Sequence, residues 1–128
     1  MMINGIHIDT AKLWSKDKVL EYLKENGEDD RTLSDIRGEY FDLFGNELVW
    51  YYPICDGSNL GADIIVVQEG FLHLPYNTVE KDDREIFELD GAALLDADAL
   101  QFCIDLWEPF SADLLSALKD MQRVLRGE

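Results

Sequence analysis

Between Gly45 and Leu48 the hydrophobic pattern of this chain changes period, and that change limits the folds open to it. Upstream, Leu33, Ile36, Tyr40 and Phe44 recur every three to four residues, which is the spacing of one helix face. Downstream, Leu48-Val49-Trp50-Tyr51-Tyr52 is aromatic and strand-prone, and Ile64-Ile65-Val66-Val67 is a continuous apolar run. The second pattern suits a central strand covered on both faces. Helical spacing then returns after residue 96. A chain that reads helix, then strand, then helix belongs to the α+β class rather than to an alternating parallel α/β fold.

The element boundaries follow from caps and breakers. Val19, Leu20 and Leu23 mark an amphipathic helix over about 15–26, with Gly27 as its stop. A second helix is expected from Thr32 to Phe44, with Thr32 as N-cap and Gly45 just past its end. Pro53 closes the first strand, Glu69-Gly70 looks like a tight hairpin, and Phe71-Leu72-His73-Leu74 is the third strand. A polar loop over about 76–84 leads to a fourth strand at Glu85-Ile86-Phe87-Glu88-Leu89. Asp96 can cap a helix over 97–108, Pro109 breaks the chain, and Ser111 can cap the last helix. Its stripe is Leu114, Leu118, Met121 and Leu125. The expected fold is therefore an α+β domain spanning 1–128. About four antiparallel meander strands carry two N-terminal and two C-terminal helices packed on them.

Charge constrains partners more than any motif does. The 128 residues hold 27 Asp and Glu against 11 Lys and Arg, a net charge of −16, and no cation occurs from Gly38 through Glu80. Nucleic acid and anionic membranes bind through cations. A surface of this sign repels them and attracts basic partners. The acidity is regional, because the N-terminal helix keeps Lys16, Lys18 and Lys24. A hydrophobic content of 47% argues for a packed core despite the charge. No apolar run approaches the ~18 residues of a membrane span, and Met1 to Gly5 lack the basic and apolar regions of a signal peptide. A cytoplasmic location with no membrane contact is expected.

Motifs that would carry chemistry are incomplete. The segment 56–67 begins with Asp56 and places Ser58 and Gly61 as a calcium-binding EF-hand loop would. But Leu60 stands at a ligand position and Val67 where the bidentate Glu belongs. Phosphate-loop, dinucleotide and nucleophile-elbow motifs are absent. His7-x-Asp9 offers two ligands from one strand face, and His73 alternates with leucines, but no third ligand has a metal-site spacing. Cys55 and Cys103 form neither a C-x-x-C nor a zinc pattern. No cofactor is expected, and an enzymatic role is the less favoured one. The stretch from Asp56 to Ile65 resembles the Gly/Asp loop entering a strand in one family of toxin-immunity proteins. The Leu-Pro helix motif of that family is missing, so no fold, site or activity is transferred.

The informative acids lie on helices. Asp35, Glu39 and Asp42 fall at i, i+4 and i+7, within roughly 60° of one another on the second helix. Asp98, Asp105 and Glu108 share a face of the third. Like charges at this spacing destabilise a helix by a few tenths of a kcal/mol, and ordinary exposed helices interleave lysines. These faces have none. The expectation is an acidic protein-binding module that neutralises or regulates a basic protein partner, as an immunity protein or nucleic-acid mimic does. Its candidate contacts are Asp35, Glu39, Asp42, Asp98, Asp105 and Glu108, with Glu47, Trp50 and Asp56 as a second patch. The alternatives are a small carboxylate- or His/Asp-based enzyme or ligand-binding domain, and an assembly protein whose charge only solubilises it. A homodimer through the last helix is a further possibility.

Overall fold

A computed structural model describes residues 1–27, 30–46, 48–53, 60–89, 91–106 and 112–127. Glu47, Asp56, Glu108 and the Ser111 cap lie outside these residues, as do Cys55 and Ser58. The chain opens with a small hairpin, β1 (Met2–Ile3) and β2 (Ile6–His7), turned at Asn4 and Gly5 with φ of 52° and 76°. Asn-Gly favours such a turn because both central residues need positive φ. The two helices that follow are α1 (Lys16–Asn26) and α2 (Asp30–Phe44). Ser15 caps α1 by accepting from the Lys18 N–H, and Gly27 ends it at φ 95°. The Glu69 carboxylate adds a second cap by accepting from the Lys16 N–H at 2.9 and 3.1 Å. That bond ties the helix start to the turn of the main sheet.

The second helix begins at Asp30 rather than at Thr32. Thr32 is buried inside the first turn, where its hydroxyl donates to the Asn26 carbonyl at 3.1 Å. It closes the α1–α2 corner instead of capping its own helix.

The sheet is an antiparallel meander of β3 (Val49–Pro53), β4 (Leu60–Val67), β5 (Gly70–Lys81) and β6 (Arg84–Leu89). A short strand β7 (Ala93–Leu94) pairs with Leu72 and His73 of β5, beside the half that β6 leaves open. The polar loop expected over 76–84 is instead strand. β5 continues to Lys81 and reverses at Asp82-Asp83, both with positive φ, 53° and 62°. Asp at both left-handed positions supplies a primed hairpin turn without glycine. The segment 60–67 is likewise strand, so the calcium-loop pattern does not form there. Both alternating faces of β4 are buried: Ala62, Ile64 and Val66 on one, Asp63, Ile65 and Val67 on the other.

Two helices complete the chain, α3 (Ala97–Leu106), capped by Asp96 on the Ala99 N–H, and α4 (Ala112–Arg126). They pack on each other, and buried Gln122 joins them by donating to the Ala97 carbonyl and the Gln101 side chain. The Asn4 N–H donates to Asp120, which docks the N-terminal hairpin on α4. No helix among the described residues is long and apolar enough to cross a membrane.

Candidate functional site

Five of the candidate acids lie among the described residues. Asp35, Glu39 and Asp42 on α2 are all exposed, as are Asp98 and Asp105 on α3. The two ion pairs among the described residues are Arg37–Asp63 and Arg123–Asp120, so none of these five forms an ion pair among them. Asp105 accepts a hydrogen bond from Gln101 at 2.8 Å, which steadies it without changing its charge. Among the described residues α2 and α3 make no extensive contact with each other. The extensive contacts of α2 are with α1 and β6, and those of α3 are with α4.

Each row has beside it an exposed apolar side chain that the sequence reasoning passed over. On α3, Phe102 is 66% exposed, and it stands four residues after Asp98 and three before Asp105. Positions three and four apart are neighbours on a helix surface, so the ring sits between the two carboxylates. On α2, Phe41 and Leu43 are 52% and 56% exposed. Leu43 lies one turn beyond Glu39. The signal was legible: both phenylalanines fall off the apolar stripe of their helix. Trp50, by contrast, is 9% exposed and belongs to the core. The strand residue that turns outward is Tyr51, at 53%.

Phe41 and Tyr51 are the walls of a groove of about 390 Å³ between α2 and β3, completed by Arg37, Gly38, Leu48 and Val49. Beneath it lies a polar cluster that composition did not reveal. Asp63 is 0% exposed in the middle of the sheet. Arg37 reaches down from α2 and donates to both of its carboxylate oxygens, at 2.8 and 2.7 Å from Nη2 and 3.2 Å from Nε. The Tyr76 hydroxyl donates to the same carboxylate at 3.3 Å. A buried carboxylate needs such partners, because an unpaired charge in a low-dielectric interior is prohibitively costly. Burial and the neighbouring Asp63 charge push the Tyr76 hydroxyl well above the usual tyrosine range, so it stays a donor.

The Tyr76 ring stacks on Tyr51 at 6.4 Å and 16°. The stack crosses β4 over Gly61, where a Cβ would lie 2.9 Å from the Tyr51 ring and 3.2 Å from the Tyr76 ring. Glycine here makes room for the aromatic pair. The cluster therefore fixes α2 against the sheet and sets the pose of Tyr51 at the groove rim. It does not resemble a catalytic carboxylate, since both oxygens of Asp63 are held by donors.

The remaining chemistry-bearing residues are dispersed. His7 is exposed on β2, and Asp9 accepts from the Ala11 N–H to cap a short turn. His73 is half-buried on β5, and that burial lowers its pKa below the ordinary histidine value. Among the described residues no three His, Cys, Asp or Glu side chains come together as a metal site. Cys103 is buried on α3. No protein-family model matches the chain, nor does any curated protein or solved structure.

Proposed function

We propose that this chain is an acidic protein-binding module that neutralises or regulates a basic partner. The observation that carries the reading is exposed apolar surface beside each carboxylate row: Phe102 between Asp98 and Asp105 on α3, and Leu43 one turn beyond Glu39 on α2. A surface that only solubilises has no use for exposed phenylalanine, which costs solubility. An interface uses both groups. Aromatic anchors supply desolvated contact area, and carboxylates steer and orient a cationic partner. Steering of this kind raises association rates toward ~10⁸–10⁹ M⁻¹s⁻¹ at low salt. Toxin neutralisation and nucleic-acid mimicry are the two roles in which such a partner is common. A homodimer through α4 has weaker support, since Leu125 alone of its apolar stripe is exposed, at 39%.

Affinity capture with matched variants tests the reading. The wild-type chain should retain a basic protein from its source lysate at low salt and release it at high salt. Phe102→Ala, and the triple change Asp35→Asn, Glu39→Gln and Asp42→Asn, should each reduce retention by at least about tenfold. Identical capture by wild type and both variants would exclude these faces as the interface.

A further inference from the structure

The edge of the main sheet beside α2 carries three features that its own fold does not use. The first is backbone. The Val66 N–H donates to the Leu48 carbonyl at 3.3 Å, so residues 48 and 66 form a hydrogen-bonded pair of the β3–β4 ladder. Such pairs alternate along an antiparallel ladder. The N–H and C=O groups of Val49 and Tyr51 therefore point away from β4, and no described strand pairs with β3 on that side. The second is the groove between Phe41 and Tyr51, which runs along this edge. At about 390 Å³ it sits at the lower end of the ~300–1,000 Å³ of ligand pockets, enough for one or two large side chains.

The third feature is Gly38. It lies inside α2, lines the groove, and shows no left-handed φ. A Cβ built there would meet nothing within 4 Å. Neither backbone geometry nor internal packing requires a glycine, yet a helix-interior glycine costs roughly 0.5–1 kcal/mol relative to alanine. Its bare backbone leaves the helix open to close approach from beyond the described residues at this point. Asp35 and Asp42 stand three residues before it and four after it, so they flank the approach on the helix surface.

We infer that the β3 edge and the adjoining groove take up an extended, basic segment of the partner by strand addition, a step that rests on the protein-binding reading above. The segment pairs its main chain with Val49 and Tyr51. One apolar side chain enters between Phe41 and Tyr51 over Gly38, and Lys or Arg residues two positions to either side of it, on the same strand face, meet Asp35 and Asp42. Strand addition divides the work in this way: the main chain supplies affinity, and alternate side chains supply specificity. The charge selects the occupant. A second copy of this chain carries the same −16 and is repelled, so an edge that would otherwise invite self-pairing is left to a cationic segment. Pro53, which lacks an N–H, bounds the pairing at the end of β3.

The test uses isotope-labelled full-length protein and a synthetic peptide with a central valine, threonines beside it and lysines two positions to either side, titrated by NMR at roughly 20 mM salt, where screening is weak. Two control peptides carry glutamate for lysine, or N-methyl groups on alternate backbone amides. Binding by the lysine peptide is expected to move the amide signals of Gly38, Phe41, Val49 and Tyr51 most, and to slow hydrogen exchange at Val49 and Tyr51. The glutamate peptide should not bind, and N-methylation should weaken binding on the order of tenfold. Gly38→Met, which fills the groove while favouring the helix, should weaken it similarly with no loss of melting temperature. Shifts centred on Asp98, Phe102 and Asp105 would overturn the strand-addition site and leave the acidic-module reading standing. Equal binding by the N-methylated peptide would also overturn it. Absence of shifts in every region would overturn both.

Discussion

Asp63 is the residue on which the placement of α2 depends. It stands next to Ile64-Ile65 on a strand covered on both sides, so it needs charge compensation from a neighbouring element, and Arg37 supplies it. Breaking such a pair from one side is worse than deleting it, because the surviving charge stays buried. Arg37→Met should therefore destabilise the fold by about 3 kcal/mol, the low end for buried pairs because the Arg37 side chain is 35% exposed. The double variant Arg37→Met with Asp63→Val should recover most of that loss. Urea denaturation of the singles and the double decides it: costs that simply add would show the pair to be uncoupled. Tyr76 is a third partner, and the stack of its ring on Tyr51 transmits the arrangement to the groove rim. Little of this was legible beforehand. An acid beside an apolar run announces that a partner must exist, but nothing in spacing names a residue on another element.

At the scale of elements, local chemistry was the better guide. Helical spacing, the Asp96 cap and the Gly27 and Gly45 stops identified α1, α3 and the end of α2, because such signals act within a few residues of themselves. The start of α2 was misplaced because Thr32 bonds the Asn26 carbonyl of the preceding helix, a tertiary contact that outweighs its capping preference. The length of β5 was missed because its second half is polar, and pairing with β6 rather than apolar pattern makes it a strand. Asn4-Gly5 was a hairpin signal that the strands, only two residues each, did not reinforce. The carboxylate row of α2 leads to a test with opposed outcomes. Glu39→Lys places a cation four residues after Asp35 and three before Asp42. Pairs of this kind contribute about 0.3–0.5 kcal/mol each, and like-charge repulsion is relieved as well. Thermal unfolding should show a gain of up to about 1 kcal/mol, while binding of a basic partner weakens. A variant that is more stable and still binds fully would remove the row from the interface.

The whole molecule is governed by its −16 charge. Self-repulsion opposes the compact state, and salt screens it. Between about 10 and 150 mM salt the screening length falls from ~30 to ~8 Å. Folding stability should rise over this range by on the order of 1 kcal/mol, seen as a melting temperature higher by a few degrees. Binding to a basic partner should weaken over the same interval. Stability independent of salt would mean that the acids are too dispersed to repel one another. By itself the sequence determined the α+β class, the helix faces and the sign of the chain's own charge, because periodicity, capping and net charge are local or additive properties. Only the tertiary structure decided that Arg37 neutralises Asp63, that Tyr51 rather than Trp50 faces outward, and that Gly38 lines a groove beside a sheet edge that no described strand covers. Those outcomes depend on which side chains meet across elements far apart in the chain, and that is a matter of packing and strand register.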